Sequence, residues 1–249
     1  MIMFYFSGTG NSKYVAELFC QNNNIECHSI EERIDFEKLI KAEDTIAFCY
    51  PIYFSRVPKI MREFVAQHLN TLKGKKIIIF CAQFMMSGDG TRAFAKLFPK
   101  NYIDVIYTEH FFMPNNMPDV PLLPIANDNS IKKSLARTKR KMEQVCRNIQ
   151  DGKIKKRGFS IISRLLGLPQ SLILPAMERR ANRTVSVDST CTLCGLCVEI
   201  CPMDNFLIED KKITHRHRCT MCYRCINKCP EKSINVLVSA KIRKQYKGI

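Results

Sequence analysis

Ile2-Met3-Phe4-Tyr5-Phe6-Ser7-Gly8-Thr9-Gly10-Asn11-Ser12 sets a short apolar run before a loop of hydroxyls, an amide and two glycines, and a helical pattern over 11–22 follows. A strand that delivers such a loop to a helix N-terminus presents side-chain donors and backbone N–H groups to a phosphate. The loop has no lysine, so it is not a Walker A loop, and its glycine spacing is not the dinucleotide GxGxxG. The plainer alternative is a Ser/Gly turn with an Asn-Ser helix cap.

Outward from this loop, short apolar runs alternate with amphipathic ones. Candidate strands are Ile2–Phe6, Ile25–Ile30, Thr45–Tyr50, Lys76–Cys81 and Tyr102–Thr108, with candidate helices near 11–22, 35–41, 58–69, 90–97 and 129–151. This alternation predicts a parallel sheet covered on both faces. Ile77-Ile78-Ile79-Phe80 is apolar without alternation, as a doubly buried parallel strand requires. Two more loops follow strands at their C-terminal ends, where ligands sit in open α/β sheets. They are Tyr50-Pro51-Ile52-Tyr53-Phe54-Ser55 and Ala82-Gln83-Phe84-Met85-Met86-Ser87-Gly88-Asp89-Gly90. Their aromatics suit a flat ring, and equally suit an ordinary core or domain interface. A phosphate held mainly by neutral donors fits bound flavin mononucleotide (FMN).

After Gly152 the pattern changes. Lys153, Lys155, Lys156 and Arg157 open a linker, and an amphipathic stretch from Phe159 to Leu168 is expected to stop at Pro169. Beyond residue 186 comes an internal repeat. Cys191-x2-Cys194-x2-Cys197-x3-Cys201-Pro202 is followed, 28 residues on, by Cys219-x2-Cys222-x2-Cys225-x3-Cys229-Pro230. This is the bacterial two-cluster ferredoxin pattern, in which each run gives three thiolates to one cubane and its fourth to the other. Cluster one takes Cys191, Cys194, Cys197 and Cys229. Cluster two takes Cys219, Cys222, Cys225 and Cys201. A zinc site draws four ligands from two CxxC pairs and has no use for a third cysteine at the same step.

The chain thus resembles flavodoxin–ferredoxin fusion proteins. The resemblance implies a doubly wound, five-stranded parallel sheet of order 2-1-3-4-5 with non-covalent FMN, then a small α+β domain with two [4Fe-4S] clusters. By motif, Ser7, Thr9, Gly10, Asn11 and Ser12 hold the phosphate. Pro51, Ile52, Tyr53, Phe54, Gln83, Phe84, Gly88, Asp89 and Gly90 surround the ring, with Tyr53 and Phe84 stacking. The expected division is 1–151 flavin-binding, 152–185 basic linker with an amphipathic helix, and 186–249 iron–sulfur. Two features depart from the flavodoxin pattern: the chain has no tryptophan, and its 50–55 loop has no glycine.

The formal charge of +16 is unevenly spread. Residues 1–130 hold 13 Lys+Arg and 14 Asp+Glu, whereas 131–185 hold 15 against 3. Such a field is expected to steer an acidic redox protein. The Phe159–Leu168 stretch with its basic flanks also suits an anionic membrane surface, while nucleic acid lacks a recognition motif. Cys20, Cys27, Cys49, Cys81 and Cys146 have no ligand spacing, and His215 and His217 are expected at the surface. No leader peptide is evident, so a reducing cytoplasm is expected. The leading functional expectation is electron transfer between the clusters, FMN and a redox partner. The alternatives are an FMN-dependent reductase of a small molecule and a metal-stabilised nucleic-acid reader. No general acid or base stands out.

Overall fold

Six parallel strands make one sheet in the computed structural model, which describes every residue except Met86, Ser87 and Pro121. In chain order the first half runs β1 (Ile2–Tyr5), α1 (Asn11–Asn23), β2 (Cys27–Ser29), α2 (Phe36–Ala42), β3 (Thr45–Pro51), α3 (Lys59–Gln67), β4 (Lys76–Gln83), α4 (Gly90–Ala95), β5 (Asp104–Phe112) and α5 (Asp128–Gln150). There follow β6 (Lys155–Lys156), α6 (Ile161–Thr184), β7 (Ser186–Val187), α7 (Leu196–Glu199), β8 (Phe206–Glu209), β9 (Lys212–His215), α8 (Arg224–Lys228) and β10 (Ile234–Asn235). The sheet order is β2-β1-β3-β4-β5-β6. It reproduces the expected 2-1-3-4-5 and adds a strand.

Successive residues of each strand point to opposite faces, and both faces are apolar. Phe4, Phe48 and Ile79 meet Phe36, Phe64 and Phe94 of α2, α3 and α4 on one side. The rings of Phe36 and Phe64 meet edge-on at 5.0 Å, and those of Phe48 and Phe94 lie 4.8 Å apart. Met3, Ala47, Ile78 and Phe80 meet Val15, Phe19, Met142 and Val145 of α1 and α5 on the other. Asp35 caps α2 by accepting from the Lys38 N–H at 3.0 Å, and Asn127 caps α5 by accepting from the Ser130 N–H at 2.8 Å.

Two readings of 152–185 need correction. Lys155-Lys156, read as linker, pairs with Tyr107-Thr108 as a sixth, edge strand added to the expected five. Two lysines show no strand period, although charged residues on an edge discourage pairing with other chains. Likewise α6 does not stop at Pro169; it continues through Pro169 and Pro175 to Thr184. Both prolines are exposed, on the side where water can replace the missing donor.

The third core belongs to both halves. Phe206, Ile226, Ile234 and Val236 of the cysteine-rich region bury Leu174 and Ala181 of α6, and Tyr53 and Phe54 pack on this cluster from the sheet side. Here β7 pairs antiparallel with β10, and β8 with β9.

Part of the basic charge is structural. Glu109 on β5 is 1% exposed and receives Lys141 at 3.0 Å, Lys155 at 2.7 Å and Arg157 at 3.4 Å. Lys141 also donates to the His110 carbonyl at 2.6 Å. Burial alone raises the Glu109 carboxyl, but Lys141, Lys155 and the His110 N–H hold it below the usual carboxylate range. Burial, aided by Arg157, pushes His110 down to about 4. Both shifts have the same sign in linkage. The unfolded chain binds more protons than the folded one, so stability falls as pH drops from about 6.5 through about 4. Glu109→Gln should therefore destabilise the fold by roughly 1–3 kcal/mol near neutrality, since the three cations are 29–49% exposed and screening reduces the full cost of a broken buried pair. It should also remove the Glu109 part of the acid limb, which lies at and below the usual carboxylate range, and leave the His110 part in place. Thermal melts of both proteins from neutral pH down to about pH 3 read this directly.

Candidate functional site

The Ser7–Ser12 loop sits where β1 ends and α1 begins, with Gly10 at φ 101° as the N-terminal cap. Such a φ favours glycine, which lets the loop turn its N–H groups outward. Ser7 Oγ accepts from the Gly10 N–H at 3.1 Å. Thr9 Oγ1 accepts from Asn116 Nδ2 at 2.9 Å, and Asn11 spans Pro114 and Tyr246, donating to the carbonyl of one at 2.8 Å and accepting from the hydroxyl of the other at 2.7 Å. The Asn11 side chain is thereby engaged by the protein itself. Ser12 Oγ is buried and has no hydrogen-bond partner among the described residues. A buried hydroxyl at a helix N-terminus, in a loop of neutral donors, fits a phosphate.

Beside the loop lies a cavity of about 70 Å³ lined by Ser7, Gly8, Thr9, Asn11 and Ser12 and, from the ring loops, by Pro51, Ile52, Tyr53, Gln83 and Phe84. A second, mainly apolar cavity of about 490 Å³ shares Ile52, Gln83 and Phe84 and adds Phe54, Met85 and Met177. A polar pocket adjoining a wide apolar one suits a phosphate attached to a flat ring. Gln83 Nε2 donates to the Met85 carbonyl at 3.2 Å, while Gln83 Oε1 is buried without a partner among the described residues, an acceptor free for a ring N–H. Phe84 is 38% exposed and borders both cavities. The chain turns back between Tyr53 and Arg56 with Phe54 at φ 48° and Ser55 at φ 56°, a left-handed pair made without glycine.

Gly88, Asp89 and Gly90, expected at the ring, line neither cavity. A Cβ on Gly88 would come within 2.2 Å of the Gly167 nitrogen, Asp89 pairs with Arg92 at 2.6 Å, and the Gly90 carbonyl accepts from Tyr50 Oη at 3.1 Å. At Gly88 the missing side chain permits close approach of α6. Met86 and Ser87 of the same loop lie outside the described residues.

Each expected cysteine set is brought together. Cys191, Cys194, Cys197 and Cys229 surround one small cavity between α7 and β10. Cys219, Cys222, Cys225 and Cys201 are mutual electrostatic neighbours. Among the described residues no three His, Cys, Asp or Glu converge tightly enough for a single metal ion. Thiolates on one zinc sit about 2.3 Å from it, whereas a cubane holds its thiolates further apart. Burial lifts the thiols of Cys197 and Cys219 to about 11 and that of Cys222 to about 12. Iron supplies the positive charge that would let such groups ionise. Eight thiolates in two sets of four fit two [4Fe-4S] clusters. The five other cysteines lie outside these sets; Cys20, Cys49, Cys81 and Cys146 are buried in the sheet half.

The two cofactor regions share a wall. A Cβ on Gly8 would lie 2.1 Å from the Cys222 carbonyl oxygen, so the phosphate loop and the cluster-two loop touch through backbone. Arg224 Nη2 and Nε donate to the Ser7 and Gly8 carbonyls at 3.0 and 3.2 Å, and Nη1 donates to that of Ile200 at 3.0 Å. Glu31 closes the clamp at 2.8 and 2.7 Å. Tyr223 lines the flavin cavity from this side. The cysteine repeat explains its strain: Leu193 and Met221 are left-handed at equivalent positions, and so are Gly195 (φ 77°) and Tyr223 (φ 60°). Where the first copy uses glycine, the second accepts about 1–2 kcal/mol of backbone strain to place a ring there. Sequence reasoning missed Tyr223, Arg224, Asn116 and Tyr246. The alignment of Tyr223 with Gly195 in the repeat was the one available signal.

Residues 2–120 match the Flavodoxin domain family and residues 190–234 the 4Fe-4S dicluster domain family. The chain resembles general stress protein 14 of Treponema denticola, solved with FMN, at 16% identity and a TM-score of 0.44, over 60% of this chain and 98% of that one. It also resembles Megasphaera elsdenii flavodoxin at 20% identity and a TM-score of 0.37, over 57% and 99%. Likenesses this weak add nothing to the family matches. No curated protein matches the chain.

Anaerobically purified protein should carry about eight iron and eight sulfide per chain with one FMN. Gly8→Ala should force the phosphate loop from the Cys222 carbonyl and weaken FMN binding at least about tenfold, with cluster one intact. Cofactor quantitation with electron paramagnetic resonance tests both, and full flavin retention in the variant would show that the contact is dispensable.

Proposed function

From a chain that joins a flavodoxin domain to a 4Fe-4S dicluster domain, we propose an electron-transfer protein in which cluster one, cluster two and FMN stand in that order. The observation that carries this reading is the shared wall of Cys222, Tyr223 and the phosphate loop. When bound, FMN exchanges one or two electrons and each cluster one, so a single chain can link one-electron and two-electron partners. The protein's part is to hold these groups close and dry. Tyr53, whose hydroxyl is buried, lies near Cys219 and Cys222 and fills the space between the ring loop and cluster two. Asn227 ties the same region to the 113–117 loop, donating to the Asn116 carbonyl at 2.8 Å. Asp119 accepts from the Val236 and Leu237 N–H groups at 3.0 and 2.8 Å, fixing the far side of the junction. Exposure supports the order. Cys194 of the first set is exposed, whereas Cys222 and Cys225 of the second are buried, so an outside partner meets cluster one first.

A second reading, reduction of a small apolar molecule, is favoured by the apolar wall that Met177, Leu237 and Val238 add to the cavity of about 490 Å³ beyond the ring loops. Cys194→Ser separates cluster one from the rest. In anaerobic stopped-flow with a reduced ferredoxin as donor, flavin reduction should slow at least about tenfold while FMN content stays unchanged. An unchanged rate in protein lacking cluster one would remove it from the path. Flavin spectral shifts with apolar quinones or enones, and their turnover, would establish the second reading.

A further inference from the structure

We infer that the outer face of α6 rests on an anionic membrane surface. On its inner side the helix is fastened to both halves. Gly167 packs against Asp89, Gln170 accepts from Ser55 Oγ at 3.0 Å, Glu178 pairs with Arg62 at 2.9 Å, and Leu174 and Ala181 enter the third core. The opposite side is open. Ile161, Ile162, Leu165, Leu166, Leu168, Leu172 and Ile173 are 42–72% exposed. At 3.6 residues per turn, Ile161, Leu165, Leu168 and Leu172 form one stripe, and Arg179 and Arg183 continue it. Before the helix, Lys153, Lys155, Lys156 and Arg157 are exposed, with Ile154 among them. Over 152–185 the one acidic residue is Glu178, already held by Arg62; outside it, Asp151 pairs with Lys153 and the buried Glu109 with Lys155 and Arg157, while Lys156 lies outside these pairs.

An aliphatic stripe with cations at both ends matches the apolar interior and negative headgroups of an anionic leaflet. Two features disfavour other occupants. Facing a second copy, the stripe would set like charges against each other, Arg against Arg in parallel and Arg against Lys in antiparallel. The exposed stripe also has no aromatic anchor of the kind that dominates protein interfaces. The helix lies on the surface and does not cross it: among the described residues no helix is long and apolar enough to span a bilayer. Gln170, Met177 and Arg180 of α6 also line the apolar cavity, so the lipid-facing helix borders the redox site.

Flotation of the full holoprotein tests this. It should bind vesicles of phosphatidylcholine mixed with phosphatidylglycerol, bind phosphatidylcholine alone much more weakly, and lose affinity as salt rises. The double variant Leu165→Ser, Leu172→Ser should keep its cofactor spectra and lose at least about tenfold in vesicle binding. Failure to bind anionic vesicles at low salt overturns the inference. So does binding indifferent to the two serines, which would make the surface a purely electrostatic one suited to an acidic protein. A concentration-dependent dimer that the serines disperse, without vesicle binding, would assign the face to a second copy.

Discussion

The junction between the phosphate loop and the cluster-two loop depends on one close approach, the contact of the Gly8 backbone with the Cys222 carbonyl. Only a residue without a Cβ permits it, and the Arg224 guanidinium holds it in place through the carbonyls of Ser7, Gly8 and Ile200. Arginine suits this position because its planar fork serves several acceptors at once. The positive charge is balanced by Glu31 on the sheet side, so the clamp adds no unpaired charge to the junction. Through this contact the phosphate loop and the cluster-two loop become parts of a single wall.

The two copies of the cysteine motif have diverged where that wall demands it. In the first copy the left-handed position after the second cysteine is Gly195; in the second it is Tyr223, 3% exposed and strained. The Phe54–Ser55 turn is left-handed without glycine as well, and Phe54 packs toward the same core. Left-handed backbone without glycine thus occurs on both segments that supply a tyrosine, Tyr53 and Tyr223, to the flavin cavity. Strain at such places persists only where the surrounding packing over-determines it.

Charge follows a similar division between structure and surface. Lys141, Lys155 and Arg157 converge on Glu109 and bind the edge strand and α5 to the sheet. Arg179 and Arg183 are exposed on the outward face of α6. A basic segment read from composition alone merges these two populations, although the first also neutralises the buried Glu109.

The apolar runs and the loop at residues 7–12 were enough to define a doubly wound sheet, because strand burial and helix amphipathicity are local periodicities. The doubled cysteine spacing matches the two-cluster ferredoxin pattern, and it is that resemblance, sending the fourth cysteine of each run to the other set, that groups the thiolates. Three things were decided only by tertiary structure. Lys155-Lys156 became a strand because Glu109 and the free edge of β5 were waiting for it. Gly88 and Asp89 turned toward α6 because Gly167 fits against them, and no local pattern encodes a contact 79 residues away. Tyr223 and Tyr246 reached the flavin loops because the iron–sulfur half docks on the C-terminal edge of the sheet. Local pattern determines elements and ligand sets, while the pairing of distant surfaces depends on shape and charge that exist only once both halves are folded.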